Sequence, residues 1–427
     1  MKRTLITTFV IFLLMFAHRS EAQETLTLTM EQAKAHALEY NRALQKAGIS
    51  VEEAQSSLWQ AVAAGLPQVS GTIDYTNYLG FNMNFGGQSI PFNPASNAKL
   101  TVSQLLFSGS YWVGVEMSKI AKSLSEKNKI KTELDTKEAV SISFHAILVT
   151  EQGRKIILQN LANIKDIHKK TSDMAKVGLI EQTDAEQLSV QVLNMEAALR
   201  SLDRQLELAY NMMRLQLGVP PDTKIVLVGD IDEMAKGVNA QSLANSDFDP
   251  NNNIDFQLLK EQERLQEKQI LMNQTEYLPT VSGFYSYTHK LKKASFDMSP
   301  PNVVGLQANI PVFSSFQRRS KVKQSKLQLR ALQKDIEQVN DQLNTQAKQL
   351  RYNLQTAYDQ YVIQKENVEV TRKIFKSNSL KHEQGMLSSL DLTTANNNYL
   401  QAENNLLTAT GDLLKAQTEL LKLLGTL

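Results

Sequence analysis

The sequence contains no cysteine, and this absence excludes several kinds of site at once. A chain without thiols has no disulfide framework, no cysteine-ligated zinc or iron–sulfur cluster, no thiol nucleophile and no N-terminal cysteine to carry a lipid. Aromatic residues make up 7% of the chain and proline only 10 residues, so a turn-rich all-β sandwich is not expected. The 46 basic and 44 acidic residues nearly balance, which gives no sign of a nucleic-acid-binding face.

No group of residues points to an enzyme or to a cofactor. The sequence lacks a glycine-rich phosphate loop and a Gly-x-Ser-x-Gly elbow, and its histidines are not paired at a metal-ligand spacing. We therefore expect a protein that is not an enzyme, with no catalytic, cofactor-binding or metal site. We interpret the histidines beyond the N-terminal segment as residues on helix surfaces. They are His36, His145, His168, His289 and His382.

The first 22 residues predict a secretory signal peptide. Lys2 and Arg3 precede an apolar stretch at residues 5–17, and Ser20 and Ala22 are the small residues that a signal peptidase reads. We expect cleavage after Ala22. A membrane-anchor helix is the alternative, but it needs about 20 apolar residues. Because no other apolar run approaches that length, the mature chain is expected either to be soluble outside the cytoplasm or to cross a membrane as strands.

The sequence repeats itself at a nearly constant offset, which predicts a tandem duplication. We assign residues 23–218 to the first repeat and residues 253–427 to the second. The polar, turn-rich stretch 219–252 between them predicts a linker with little core of its own. The recurring segments are 65–71 with 277–283, 105–109 with 311–315, and 178–218 with 385–425.

Each repeat predicts the same order of elements: a helix, two strands and a long helical hairpin. The opening helix ends before a Leu-Pro pair, because the residue before proline disfavours helix. Period-two alternation then favours strands with one apolar and one polar face. The proline-free stretch that follows predicts a helix on the order of 100 Å long, which turns at Gly178 or Gly385 into a second helix with coiled-coil spacing. The opening helices are 30–64 and 253–276, the strands 69–76, 100–107, 281–288 and 303–313, and the long helices 110–176 and 316–383.

Four strands per chain do not suffice for a membrane barrel, since the smallest known barrels use about eight. An open sheet edge is forbidden in lipid, where its N–H and C=O groups find no partner. If these strands face lipid, several chains must share one barrel, and the polar alternate positions then line water.

The order and spacing of these features resemble the TolC-like outer-membrane efflux proteins. The resemblance covers essentially the whole mature chain. It rests on the tandem halves, the Leu-Pro-x-Val-Ser-Gly strand openings, the Phe-Ser joins between strand and helix, the tip at residues 177–184 and the closing Leu-Leu-Gly-Thr-Leu. It implies an α+β membrane protein: a homotrimer with a shared 12-stranded β-barrel, four strands per chain, continued by a long α-helical coiled-coil tunnel through the periplasm.

The resemblance also implies a function. The expected protein is a passive exit duct of a tripartite efflux pump or type I secretion system, located in the outer membrane and extending into the periplasm. Its implied partners are a periplasmic adaptor protein, an RND or ABC inner-membrane transporter and outer-membrane lipid. The alternative is a secreted or periplasmic coiled-coil adaptor or structural protein without a channel. That alternative explains the long helices but not the paired strands.

The resemblance places the functional residues at the two hairpin tips. Asp184 and Asp391, each six residues after its tip glycine, correspond to acidic side chains that narrow the tunnel. A ring of carboxylates in a narrow bore attracts cations; helix capping is the alternative for both residues. The tip residues correspond to a surface that docks the adaptor, and the alternative is a turn that needs glycine. They are Val177, Gly178, Leu179, Gly385, Met386 and Leu387.

Three lysines cluster in the segment 289–302, which predicts a second external loop. Lys290, Lys292 and Lys293 are interpreted as a solvated loop face. Contact with anionic lipid or polysaccharide is the alternative.

Overall fold

The chain, seen in a computed structural model, forms two compact units. We call them the helical unit and the sheet unit. The predicted signal peptide lies outside the residues that the structure describes. The described residues are 25–293 and 299–427. Within them, the helical unit comprises residues 25–45, 133–247 and 347–427, and the sheet unit comprises residues 46–132 and 248–346.

The described residues form eight strands and nine α-helices, and the predicted order of helix, strands and long hairpin occurs twice. The first half contains β1 (Thr25–Leu28), α1 (Met30–Tyr40), α2 (Arg42–Ala63), β2 (Gln68–Thr76), β3 (Asn82–Phe85), β4 (Gln88–Pro91), β5 (Ala95–Phe107), α3 (Gly109–Lys176) and α4 (Gln182–Leu217). The remainder contains β6 (Lys224–Leu227), α5 (Ile231–Lys236), α6 (Ala240–Ala244), α7 (Ile254–Thr275), β7 (Thr280–Lys292), β8 (Asn302–Asn309), α8 (Gln317–Glu383) and α9 (Ser389–Leu424).

The sheet unit is built on one antiparallel sheet with the strand order β2–β5–β7–β8. Residues paired across antiparallel strands share a face, so the register assigns each side chain to one side. One face is apolar and open to solvent in the single chain: Ile73, Val304 and Leu306 are each more than three-quarters exposed. The other face carries mostly hydroxyl and amide side chains. The predicted alternation is therefore confirmed.

The strands depart from the predicted bounds in ways that matter for the charged residues. Strand β7 runs on to Lys292, so Lys290 and Lys292 lie on a strand and their assignment to a loop is wrong. Cross-strand pairing with β5 extends the strand beyond its apolar alternation. Strand β8 ends at Asn309, before Pro311, which has no N–H to donate. The segment between β2 and β5 contains the short hairpin β3–β4, which the alternation did not reveal.

The first predicted helix is interrupted at Asn41. The Asn41 side chain accepts the backbone N–H groups of Ala43 (2.9 Å) and Leu44 (3.2 Å), as an N-cap does, and its Nδ2 donates to the Gln216 carbonyl (2.8 Å). The interpretation of residues 30–64 as one helix was wrong for this reason. The helices α1 and α7 begin at the N-caps Thr29 and Asn253, whose side chains accept backbone N–H groups of the first turn.

The stretch 219–252 is more structured than the predicted linker. Strand β6 pairs in parallel with β1, and α5 and α6 follow it. The expectation of little core was wrong, because short elements bury apolar residues between the turn formers. The buried residues are Ile225, Leu227, Ile231, Ala235, Val238 and Ala240.

Four helices pack together around an apolar cluster in the helical unit. The cluster takes residues from α3, α4, α8 and α9, so both hairpins contribute to one core. Leu188, Met195 and Ala395 of this cluster lie on α4 and α9, the helices for which coiled-coil spacing was predicted. No helix among the described residues is both long and apolar enough to cross a membrane. The cluster comprises Leu161, Ile164, Ile167, Leu188, Met195, Phe375, Leu392 and Ala395.

Candidate functional site at the hairpin tips

Both hairpins turn through the same backbone motif. Gly178 and Gly385 adopt left-handed φ angles of 77° and 72°. At the first tip, Gly178 N–H donates to the Ala175 carbonyl and the next residue donates to the Met174 carbonyl, both at 3.0 Å. The corresponding bonds at the second tip measure 2.9 Å. This is the helix end that favours glycine at the left-handed position, so the predicted turn is confirmed at both tips.

The tips present apolar side chains, but not equally. Val177 and Leu179 of the first tip are each 71% exposed. At the second tip Met386 is 67% exposed, whereas Leu387 is partly buried and packs against the four-helix cluster. The first tip therefore offers two apolar side chains to solvent where the second offers one.

Asp184 lies in the first turn of α4 and bonds to the other hairpin. Its Oδ1 accepts the backbone N–H of Ser389, the first residue of α9, at 3.3 Å. The N-cap of its own helix is Glu181, which makes no capping bond with its side chain. Asp184 thus satisfies a free N–H at the start of a helix in the second repeat.

Asp391 occupies the matching position in the second repeat but makes local contacts. Its N–H donates to Ser388 Oγ (3.1 Å), and the Ser388 hydroxyl donates to the Asp391 carboxylate (2.7 Å). Ser388 is the N-cap of α9, so Asp391 completes a capping pair and remains exposed. The structure does not bond the two aspartates to each other; it brings Asp184 to the helix start that Asp391 helps to cap.

A buried histidine lies directly behind this junction. His382 Nε2 lies 3.0 Å from Ser389 Oγ, and both residues are buried. Burial lowers the pKa of His382, while the Asp184 and Glu383 carboxylates oppose that shift. The interpretation of His382 as a surface residue was wrong. A sequence signal did exist, since His382 follows the core residue Phe375 by one heptad.

The chain matches one family over most of its length. The model of the outer membrane efflux protein family matches residues 35–219 and 251–426. The chain belongs to the outer membrane efflux protein family. The predicted family and efflux function are thereby confirmed, and the alternative of an adaptor or a structural protein is not supported.

Solved structures of outer-membrane channels share the fold of this efflux protein. The outer membrane protein VceC of Vibrio cholerae is 13% identical, with 93% of this chain and 96% of VceC covered and a TM-score of 0.74. The Campylobacter jejuni channel CmeC is 16% identical, with 93% and 85% covered and a TM-score of 0.75. The open state of Neisseria gonorrhoeae MtrE is 13% identical, with 93% and 88% covered and a TM-score of 0.67. No curated protein matched the sequence.

Polar contacts between the hairpins of this efflux protein continue away from the tips. Lys170 of α3 pairs with Glu383 of α8 at 3.0 Å, and the carboxylates of Asp166 and Glu383 raise the pKa of Lys170. Deeper in the bundle, Asn160 Nδ2 donates to Asn396 Oδ1 at 2.7 Å, and both side chains are buried. The hairpins are therefore joined by specific hydrogen bonds as well as by apolar packing, and such bonds define one arrangement of the helices.

Among the described residues, no group of three or more histidine, aspartate and glutamate side chains is placed to hold a metal ion. The charged contacts at the tips are bonds between helices or helix caps. What this arrangement can do is hold two hairpin ends together through Asp184 while presenting the Asp391 carboxylate to solvent.

Proposed function

We propose that this chain is the passive outer-membrane exit duct of a tripartite efflux pump or type I secretion system. Three copies share one 12-stranded β-barrel in the outer membrane, and their long helices form a tunnel through the periplasm. A periplasmic adaptor and an RND or ABC inner-membrane transporter supply the connection and the energy. The N-terminal signal peptide, cleaved after Ala22, directs the chain out of the cytoplasm.

The four-stranded sheet carries this proposal. Among the described strands, β2 and β8 each pair with one neighbour only, so each leaves one edge of backbone N–H and C=O groups unpaired. The apolar face of the sheet is exposed in the single chain. In lipid an open edge costs several kcal/mol per unsatisfied group. Joining three sheets edge to edge satisfies these groups and turns the apolar face to lipid and the polar face to water.

The tips supply the gate and the docking surface in this proposal. Asp184 and Asp391 form acidic rings at the periplasmic end of the tunnel, and the bond from Ser389 N–H to Asp184 holds the two hairpins of one chain together when the duct is closed. The apolar tip side chains meet the adaptor. The exposed ones belong to Val177, Leu179 and Met386, and the partly buried Leu387 lies beside Met386; Gly178 and Gly385 make the two turns.

A matched pair of substitutions tests the orientation of the sheet. Leu306 lies on the apolar face and Gln307 on the polar face of β8. We expect Leu306→Lys to impair insertion, since a lysine facing lipid costs roughly 2–4 kcal/mol at the bilayer centre. Gln307→Lys places the same charge in water and should insert normally.

The measurement is membrane insertion in cells, together with the mass of the detergent-solubilised particle and its conductance in a planar bilayer. A trimer-sized particle that forms discrete channels supports the duct. A soluble wild-type chain that needs no detergent, or equal insertion of the two lysine variants, would contradict it.

A further inference from the structure

Two helices of the helical unit carry apolar side chains on two opposite faces. On α4, Leu193 is 59% exposed and lies two residues before the buried Met195. On α8, Tyr352 is 69% exposed and lies two residues before the buried Leu354. Two residues span roughly 200° around a helix, so each exposed side chain lies opposite a buried one. We call the exposed faces the outer rows: Glu186, Val190, Leu193, Ala197, Arg200, Arg204, Leu208 and Leu215 on α4, and Tyr352, Asp359, Ile363, Glu366, Val370, Ile374 and Lys381 on α8.

The outer rows belong to helices that do not bond to each other. Gln191 of α4 donates to Asn397 Oδ1 of α9 at 2.9 Å, and Phe375 of α8 stacks on Tyr399 of α9 with the ring centroids 5.6 Å apart. Helix α9 therefore contacts both, while no hydrogen bond or ion pair joins α4 to α8 within residues 25–293 and 299–427. A helix that is apolar on two opposite faces packs on both sides, so each outer row needs a neighbour that the single chain does not supply.

The same contacts give the relative level of the two rows. Helices α4 and α9 both run away from the tips, so Leu193, two residues beyond Gln191, lies level with Tyr399 and hence with Phe375. In a ring of identical copies, equivalent residues lie at the same level. Leu193 of one copy is therefore level with Ile374 of the next, the outer-row residue beside Phe375. Since α8 runs towards the tips, the antiparallel register then pairs Ala197 with Val370 and Leu215 with Tyr352.

The charges of the two rows are complementary in this register. Glu186 is level with Lys381, and Arg204 lies between the levels of Asp359 and Glu366. None of these five side chains forms an ion pair within the described part of the chain. Charged residues that flank an apolar seam fix the partner and the register of packed helices. Each charge that lacks an opposite charge in its own chain thus meets one on the next copy.

We infer that the outer row of α4 packs against the outer row of α8 in the neighbouring copy. This seam rests on the proposed trimeric duct, and it names the helix faces that hold the three copies together. Because the two rows differ, the contact is head-to-tail, and a head-to-tail contact closes a ring when its rotation returns to the first copy. The occupant of each outer row is therefore a second copy of this chain.

Disulfide formation between copies tests the seam, because the chain has no cysteine of its own. We expect the double variant Leu193→Cys, Ile374→Cys to give covalent trimers on a non-reducing gel after the detergent-solubilised protein is oxidised with copper phenanthroline. Two cysteines bridge only when their Cβ atoms lie about 3.5–4.5 Å apart. The double variant Ala197→Cys, Val370→Cys should behave alike, and it keeps the test available if the first variant folds poorly.

Two controls separate this seam from other contacts. Leu193→Cys with Ile363→Cys uses the same outer rows, but the second thiol lies about 16 Å further along α8, so no covalent trimer is expected. Leu193→Cys alone should not cross-link, because like rows do not meet. A particle of trimer mass whose matched pairs link no better than these controls would overturn the inference alone, and the rows would then face water or another protein. A monomeric wild-type particle would overturn the proposed trimer and the inference with it.

Discussion

The two hairpin tips share one turn and differ in what their aspartates hold. Both tips end a long helix with a left-handed glycine, and both place an aspartate in the first turn of the next helix. Asp391 stays with its own N-cap, Ser388, whereas Asp184 bonds to the backbone of the other hairpin. The two repeats therefore share the backbone turn, but their aspartates differ in role: Asp391 caps a helix, and Asp184 joins two hairpins.

The two tips also differ in the residue at the N-cap of the second helix. In the second tip the N-cap is a serine, whose hydroxyl both accepts from and donates to Asp391. In the first tip the N-cap is Glu181, which makes no side-chain cap. Asp184 therefore has no local hydroxyl partner at the N-cap and remains available to Ser389. The aspartate that has a serine N-cap therefore bonds locally, and the aspartate that lacks one bonds to the other repeat.

Glycine substitutions test whether the two tip turns are equivalent, and we expect them to have the largest effect on stability. Gly218 ends α4 with a φ of 72°, like the tip glycines, but a Cβ added there would lie 2.1 Å from the Tyr40 carbonyl oxygen. A Cβ at Gly178 or Gly385 meets nothing within 4 Å. We expect Gly218→Ala to lower the free energy of unfolding by about 3 kcal/mol or more, since backbone must move, and Gly178→Ala and Gly385→Ala by about 1 kcal/mol each.

Urea denaturation of the solubilised protein, followed by circular dichroism, measures these changes. Equal losses at the two tips would show that their turns are equivalent in energy as well as in geometry. The two turns would not be equivalent if the losses in unfolding free energy for Gly178→Ala and Gly385→Ala differed widely from each other. A wide difference is one as large as that between either of them and Gly218→Ala.

Buried histidines distinguish the repeats in their response to pH. Burial and the nearby Lys34 ammonium lower the pKa of His145, on α3, to about 4. At His382, on α8, burial lowers the pKa, but the Asp184 and Glu383 carboxylates oppose the shift. A histidine whose pKa is lowered by folding stabilises the fold fully above its unfolded pKa, near 6.5, and that contribution is lost as the pH falls towards the folded pKa.

We therefore expect the His145 contribution to fall by about 2 kcal/mol between pH 7 and pH 5. The measurement compares the pH dependence of unfolding in the wild-type protein with that of His145→Leu, which removes the titration. The same comparison with His382→Leu should show a smaller change. If His382→Leu abolishes more of the pH dependence than His145→Leu, the assigned difference between the repeats is wrong.

Local patterns in the sequence predicted much of this molecule, and contacts between distant segments account for most of what they missed. The alternating strands, the long helices, the seams and the glycine turns were predictable, because each depends on residues a few positions apart. The Asp184–Ser389 bond joins residues more than 200 positions apart, and the seam of either helix alone does not specify it. Likewise, β6 became a strand because β1 pairs with it, and Asn41 broke a helix whose apolar spacing continues through it.

Removing each tip aspartate is the most direct test of the separated roles. Asp184→Ala deletes the acceptor of the Ser389 N–H and Asp391→Ala deletes the partner of the Ser388 hydroxyl, so each should cost about 1 kcal/mol of stability. Stability therefore does not distinguish them, but conductance should. If the Asp184 bond holds the hairpins together, Asp184→Ala raises the single-channel conductance. Asp391→Ala removes an exposed carboxylate and should mainly weaken cation preference in a salt gradient.

The control is Asp391→Asn, which removes the charge and keeps an oxygen acceptor near Ser388. It should lose cation preference as Asp391→Ala does, while recovering part of the stability. A conductance that rises as much in Asp391→Ala as in Asp184→Ala would mean that the two aspartates act alike on the closed duct. The bond between Asp184 and Ser389 would then be one of several equal contacts at the tips. If it alone joined the hairpins, its loss would open the duct and the loss of Asp391 would not.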